Sequence, residues 1–240
     1  TLFRSPDTQA ALSGALAGEF DVVTGFDATL KDQIEANGAF SLVLDQSTDK
    51  GTLAMNSTKG PLADKRVRQA IRQAIDKNSI VEALGAGQTL YGPIPELDPG
   101  YEDLTGIYPY DLDKAKSLMS EAGYSESKPL QLSLTYANIY GTEIGDQLRS
   151  QLKKIGIDLK VNVVEFSTWL QDVYTNRNYD ISLVDHNESH DFYQWADPTY
   201  YYNYDNKEVQ ALYAKAVAAT NDDDRDKLLA EAARKVSEDA

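Results

Sequence analysis

Cysteine is absent from the 240 residues, which excludes disulfide bonds, zinc–thiolate sites and thiol catalysis. Basic residues are also scarce: 23 Lys and Arg stand against 38 Asp and Glu, giving a formal net charge of −15. An electric field of that sign repels a phosphate backbone, so we expect no nucleic acid partner.

Long apolar runs are missing too, and none approaches the roughly 20 residues that span a bilayer. The sequence begins at Thr1 without a charged and apolar leader. We therefore expect any targeting signal or lipid-anchor cysteine to lie outside this stretch.

Short catalytic motifs are lacking as well, since there is no G-x-S-x-G, no H-E-x-x-H and no Gly-rich phosphate loop. Carboxylates are abundant, so some will approach each other by chance, whereas a hydrolase with paired carboxylates needs two at a set separation and is kept only as an alternative. We therefore do not expect an enzyme, and we predict no cofactor.

The second half of the chain alternates between strand and helix periodicity. Apolar residues recur every second position at 130–136 and 157–163, a further strand is predicted at 179–184, and helical patterns lie between these segments. This β-α-β-α-β run predicts parallel strands with right-handed crossovers, in an α/β fold with a mixed sheet flanked by helices.

The first half predicts further elements with weaker patterns. Helices are expected at 7–18 and 27–37, and strands at 2–4, 20–24, 41–45 and 52–56, the last two joined by a turn near Asp49-Lys50-Gly51. Asp64, Asp111 and Ser167 are expected to cap the helices that follow them.

Several segments together resemble a known family. RVRQAIRQAIDKNSIVEALGAGQTLYGPIP resembles the signature region of family 5 extracellular solute-binding proteins, which include the peptide, dipeptide and nickel receptors of bacterial ABC importers. It is followed, in the family's order, by YDLDKAKSLMSEAGY, LQLSLTYAN, LRSQLKKIGIDLKVNVVEFSTW and NYDISLV. The resemblance implies one lobe of a two-lobed, class II periplasmic-binding-protein-like fold. Residues 1–45 would be a partial first-lobe and hinge segment, and residues 46–240 a C-terminal ligand-binding lobe lacking its return strand.

The same resemblance implies a function and a location. The whole protein would capture a small solute, a peptide above all, without catalysis, and deliver it to an ABC permease in the membrane. It would be extracellular and held by an N-terminal lipid anchor outside this stretch, or periplasmic. A nickel-type receptor of a metal chelate is a further alternative. The chain alone could self-associate through the apolar residues Phe3, Val22, Val23 and Phe26.

The segment DHNESHDFYQWADPTYYYNYD, residues 185–205, is the first candidate site because ligands bind outside the carboxyl ends of strands in open α/β sheets. Its candidate ligand-binding residues are Asp185, His186, Glu188, Asp191 and Trp195. In the family that this chain resembles, an acidic group here pairs with the amino terminus of a peptide. We favour Glu188 for that role because it lies nearer the strand end than Asp191. The alternative is that the charges solvate a loop and the tyrosines pack on helices.

Two further features of the sequence suggest a site. His186, Glu188 and His190 have ligand-type side chains at a spacing of two, but the stretch reads as a loop and offers no thiolate or third histidine, so we do not expect a metal site. Tyr91 in YGPIP is a candidate aromatic platform for ligand, since the two prolines stiffen its backbone. The alternative is that Tyr91 only packs its long loop, residues 87–109, against the fold.

Overall fold

The computed structural model describes residues 8–22, 31–38, 40–43 and 45–240. The chain divides into two compact units. The first holds the described part of residues 1–46 together with residues 78–89, and the second holds residues 47–77 and 90–240. The predicted strand at 2–4, Phe3, Val23 and Phe26 lie outside the described residues.

The described part of residues 1–46 contains two short helices, α1 (Thr8–Leu16) and α2 (Lys31–Asn37). Leu12 of α1 and Ile34 of α2 are buried, and Phe40 packs against them. The described residues 20–22 of the predicted strand at 20–24 are not in a strand, and Val22 is exposed.

The second unit is built on a four-stranded mixed sheet, which confirms the predicted fold class. Its strands are β1 (Lys50–Met55), β2 (Leu130–Ala137), β3 (Ile157–Val164) and β4 (Ile181–His186), in the order β1-β4-β2-β3. Strand β2 runs parallel to both β3 and β4, as the β-α-β-α-β pattern predicted. Strand β1 pairs with β4 in the antiparallel sense, from Lys50 opposite His186 to Met55 opposite Ile181.

The hairpin predicted from residues 41–45 and 52–56 is wrong. Residues 41–43 and 45 are not in a strand, and Lys50 and Gly51, assigned to the turn, are the first two residues of β1. The physical reason is that β4 offers a free edge on which residues 50–55 complete a ladder. Pairing with a distant strand therefore overrides the local turn signal.

The helices of the second unit are α3 (Lys65–Ala74), α5 (Leu112–Glu121), α6 (Glu143–Lys153), α7 (Phe166–Trp169), α8 (Tyr193–Ala196), α9 (Lys207–Val217) and α10 (Asp222–Asp239). Helix α4 (Lys77–Leu84) begins in this unit and continues in the first. Asp64 and Asp111 accept hydrogen bonds from the backbone N–H groups of Arg66 and Lys114, so both predicted caps are confirmed. Ser167 is not a cap, since α7 already starts at Phe166 and runs on into a π-helical turn, Leu170–Thr175.

The core of the second unit follows from the strand period. Alternate residues of β2, namely Leu130, Leu132, Leu134 and Tyr136, are buried, while the residues between them face outward to varying degrees. Because successive side chains of a strand point to opposite faces, this alternation fixes which face of β2 meets the core.

Two arginines of α3 bind the end of α10. The Arg68 guanidinium donates to the carbonyl oxygens of Asp239 (2.8 Å) and Ala240 (3.1 Å), and Arg72 donates to that of Ser237 (2.8 Å). The last carbonyls of a helix have no partner within the helix, and a cation there also complements the helix dipole. Burial lowers the pKa of both guanidinium groups.

Candidate functional site

The carboxyl ends of β2 and β4 meet at one edge of the sheet. Strand β4 ends with Asp185 and His186, and a short 3₁₀ turn, Asn138–Tyr140, follows β2. The Asp185 backbone N–H donates to the Tyr140 hydroxyl over 3.1 Å, which ties the two strand ends together. This edge is where the general rule for open α/β sheets predicts a ligand.

His186 lies inside an aromatic cluster formed mainly by Tyr200, Tyr201 and Tyr202. Its Nε2 is 3.1 Å from the Tyr201 hydroxyl, and its ring stacks on the ring of Tyr201 at 6.2 Å and 28°. Burial, and then the positive charge of Lys50, lowers the pKa of His186 to about 4. The imidazole is therefore neutral at neutral pH and acts as a hydrogen-bonding ring.

Asp191 forms a buried ion pair with Lys50. The Lys50 ammonium lies 2.6 Å from Asp191 Oδ1, and the two side chains are only 3% and 2% exposed. Within the described part of the chain, no hydrogen-bond donor reaches the buried Asp191 Oδ2. Burial raises the pKa of Asp191, while the bond from Lys50 acts in the opposite direction.

Asp185 and Glu188 are the exposed carboxylates of the predicted set. Glu188 accepts a hydrogen bond from the Tyr193 hydroxyl over 3.1 Å, and Tyr193 itself is exposed on the first turn of α8. The pKa of Asp185 is raised, first by partial loss of hydration and then by the nearby Asp49 carboxylate. Both groups are open to a cation from solution, whereas Asp191 is already occupied.

The aromatic residues of the segment divide into two groups. Tyr201 and Tyr202 are buried, and the Tyr202 hydroxyl donates to Gln194 over 2.9 Å, as expected for core residues. Trp195 is half-buried, with its ring 5.2 Å from that of Tyr202 and stacked on Phe192 at 5.8 Å. Trp195 thus packs within the core clusters around the segment, and its role towards a ligand stays a prediction.

Tyr91 is held on the α3 side of the unit. The Lys77 ammonium stands 4.5 Å above its ring, and its carbonyl oxygen accepts a hydrogen bond from Arg72 over 2.9 Å. Lys77 also donates to the Leu90 carbonyl over 2.6 Å, and burial lowers the pKa of this lysine to about 8. These contacts account for the order of the loop around Tyr91, and a ligand role for Tyr91 stays a prediction.

Asp98, which we did not predict, joins this long loop to the segment after β4. Its carboxylate is buried and accepts bonds from the Ser189 hydroxyl (2.8 Å) and the His190 backbone N–H (2.9 Å). His190 adopts a left-handed backbone with φ 59°, and the bond to Asp98 holds it there. The Asp98-Pro99-Gly100 turn was the signal in the sequence that could have drawn attention to this residue.

A pocket of roughly 150 Å³ lies beside these groups. Asp98, His190 and Asp191 line it on one side. Most of the remaining wall is apolar: Ile94, Pro99, Phe192, Tyr213, Ala216, Val217 and Leu229, with Arg225 also present.

The histidine and glutamate trio weighed as a metal set does not converge. His186 is enclosed by tyrosines, while Glu188 and His190 are exposed. Across residues 8–22, 31–38, 40–43 and 45–240, no group of three or more metal-ligating side chains comes together. In the same residues, no helix is both long enough and apolar enough to cross a membrane.

A comparison with models of protein families shows which family the chain belongs to. Residues 2–211 match the family model described as "Bacterial extracellular solute-binding proteins, family 5 Middle". The chain belongs to this family. The family is described as extracellular solute-binding proteins, so the resemblance read from the motifs is confirmed, and the match gives no support to the hydrolase alternative.

Individual relatives support the assignment. The chain is 29% identical over 242 residues to the periplasmic murein peptide-binding protein MppA of Escherichia coli, covering 89% of this chain and 44% of MppA. It is 26% identical over 252 residues to heme-binding protein A of Haemophilus influenzae, covering 95% of this chain and 44% of that protein. Among solved structures it is similar to the oligopeptide-binding protein AppA of Bacillus subtilis in complex with a nonapeptide. There the TM-score is 0.84 and the identity 25%, over 98% of this chain and 51% of that one.

The chain therefore spans about half the length of the relatives that it matches. The solved relatives are two-lobed periplasmic binding proteins, which confirms the predicted fold family.

Proposed function

We propose that the protein containing this chain is the solute-capturing component of an ABC importer, and that its solute is a peptide. The observation that carries the proposal is the family match over residues 2–211, together with relatives named for binding peptides. The partner would be an ABC permease, and the protein would be periplasmic or held outside the cell by a lipid anchor. Residues 1–45 would form part of a first lobe and hinge, and residues 46–240 the second lobe.

Within this family of solute-binding proteins, the segment after β4 is the proposed contact with the peptide. Glu188 is proposed to pair with the peptide's amino terminus, because it is exposed and adjoins the strand end. Asp185 supports it as a second exposed carboxylate. Charge-assisted hydrogen bonds are roughly twice as strong as neutral ones, so such a pair would dominate the recognition of that end.

Calorimetric titration of the intact protein with di-, tri- and nonapeptides tests the proposal. We expect saturable binding of at least one class, and a loss of about tenfold in affinity, or about 1.4 kcal/mol, for Glu188→Gln. Asp158→Asn is the matched control, since Asp158 is an exposed carboxylate at the amino-terminal end of β3, at the opposite edge of the sheet from the carboxyl ends of the strands. Binding of heme or of a nickel chelate in place of every peptide would overturn the peptide assignment.

Self-association of the chain alone is a separate part of the proposal. Val22 is 79% exposed and Val43 82% exposed, which is unusual for large apolar side chains. In analytical ultracentrifugation we expect the chain to self-associate and the double variant Val22→Ser, Val43→Ser to self-associate less. A monomeric chain at all concentrations would refute this part.

A further inference from the structure

One buried carboxylate ties the segment between β4 and α8 to the long loop of residues 87–109. The side chain of Asp98 is only 4% exposed. Its Oδ1 accepts a hydrogen bond from the Ser189 hydroxyl at 2.8 Å, and its Oδ2 accepts one from the His190 backbone N–H at 2.9 Å. The two donor residues directly follow Glu188, the carboxylate proposed to pair with the amino terminus of the peptide.

These two bonds hold a backbone conformation that is unfavourable by itself. His190 has φ 59°, in the left-handed region, where the side chain of an ordinary residue crowds its own backbone. Such a conformation persists when the surrounding contacts fix it. The buried acceptor for the His190 N–H is one such contact, and the Ser189 bond attaches the chain one residue earlier. Asp98 therefore sets the path of the chain immediately after Glu188.

Glu188 depends on that path for its position. Its side chain is exposed, and the Tyr193 hydroxyl that donates to it at 3.1 Å belongs to an exposed residue as well. A carboxylate that must first be ordered loses part of its binding free energy to conformational entropy. A backbone fixed before the peptide arrives reduces that cost, because the carboxylate already lies near its working position.

We propose that Asp98 is a positioning residue for Glu188: by fixing Ser189 and His190 it presents the Glu188 carboxylate to the free amino terminus of the peptide without touching the peptide itself. The inference rests on the proposed peptide function and on the role given there to Glu188. It predicts a selective loss, because variants of Asp98 weaken the recognition of a charged amino terminus and leave the recognition of the rest of the peptide intact.

Paired peptides with free and acetylated amino termini test the inference in calorimetric titrations of the intact protein. Acetylation removes the charge that Glu188 would bind, so the wild type should prefer the free peptide by about tenfold. Asp98→Ala should reduce this preference by about threefold or more and leave the affinity for the acetylated peptide unchanged. Asp98→Asn should restore most of the preference, since its Oδ1 can accept from the His190 N–H while the Ser189 hydroxyl turns to accept from its Nδ2.

A double variant separates positioning from a general effect on the fold. If Asp98 acts through Glu188, Asp98→Ala should have no further effect on the preference once Glu188→Gln is in place, so the two losses are not additive. Ser189→Ala removes one of the two bonds and should give a smaller loss in the same direction. It provides the same test should Asp98→Ala fail to fold.

Asp103→Ala is the matched control and should behave as the wild type. Asp103 lies in the same long loop and its carboxylate also accepts two hydrogen bonds, but both come from Thr105 within that loop. Equal weakening of free and acetylated peptides by Asp98→Ala, or additive losses with Glu188→Gln, would show a general structural role and overturn the inference. A wild type that binds both peptides equally would refute the role of Glu188 and the inference with it. If no peptide binds to the wild type, the proposed function itself fails.

Discussion

Acidification should destabilise the unit that contains the sheet, through His186. The pKa of this imidazole is about 4 in the folded protein, against an ordinary value of 6.5. Between these values the unfolded chain binds a proton that the folded one does not, so the free energy of unfolding falls as the pH falls. From pH 7 to pH 5 the linkage relation gives a loss of at most about 2 kcal/mol, and somewhat less because the ring is only half-buried.

Urea unfolding followed by tryptophan fluorescence measures this loss. Both tryptophans, Trp169 and Trp195, lie in the second unit and so report on the sheet that carries His186. Other groups titrate in the same range, so the quantity of interest is the difference between wild type and His186→Gln. Glutamine can still hydrogen-bond with Tyr201, and it removes the titration.

The comparison with the wild type isolates the imidazole, because every other titrating group is common to the two proteins. We expect His186→Gln to lose about 1–2 kcal/mol of the wild-type dependence on pH. Parallel curves for wild type and His186→Gln would show that the imidazole is not withdrawn from water as the structure describes, and the reasoning would be refuted.

Three further predictions concern the second unit. Ser182→Ala should lower the free energy of unfolding by about 1–3 kcal/mol in urea titrations, because the buried Trp169 Nε1–H loses the Ser182 hydroxyl that accepts its hydrogen bond at 2.9 Å. A double-mutant cycle with Trp169→Phe that shows no coupling would contradict this. Gly145→Ala should lower the melting temperature, since a Cβ there would lie 2.5 Å from a tyrosine hydroxyl of β2 and 2.8 Å from a valine methyl of β3, and such overpacking costs about 1–3 kcal/mol. Gly106→Ala, which meets nothing within 4 Å, should be nearly neutral, and equal effects of the two substitutions would count against the packing argument. The pKa of Lys77 is about 8 in the folded protein against 10.5 ordinarily, so between these values the unfolded chain binds a proton that the folded one does not. The free energy of unfolding should therefore rise by up to about 3 kcal/mol as the pH rises from 8 to 10.5. Lys77→Met should remove this rise, and a rise that persists in that variant would show that it has another origin.

The sheet could be predicted from the sequence for those strands that carry a hydrophobic pattern of their own. The strands at 130–137, 157–164 and 181–186 and the helices between them follow from hydrophobic periodicity, and parallel pairing follows from their connections. Strand β1 could not be predicted correctly, because its first residues carry a turn signal and its partner β4 lies far along the chain. Nothing in the local sequence indicates that distant edge.

The candidate site, like the sheet, could be predicted only where the sequence signal is local. The segment after β4 was identified from its position and composition, and it does contain exposed carboxylates and an aromatic cluster. The pairing of Asp191 with Lys50 spans 141 residues and that of Asp98 with Ser189 spans 91, so neither could be derived from spacing. The two prolines near Tyr91 indicate a stiff backbone, whereas the surroundings of its ring and carbonyl are set by Lys77 and Arg72.

The junction between α3 and α10 bears on the order of events during synthesis. Arg72 and Arg68 bind carbonyls that lie 165 and 171 residues later in the chain. At typical synthesis rates of about 5–20 residues per second, these arginines and the neighbouring strand β1 wait on the order of ten seconds or more for their partners. During that interval β1 is an unpaired edge, and Lys50 remains in water because Asp191 has yet to be made. The early segment of the second unit therefore stays without these partners until the last residues of the unit are available.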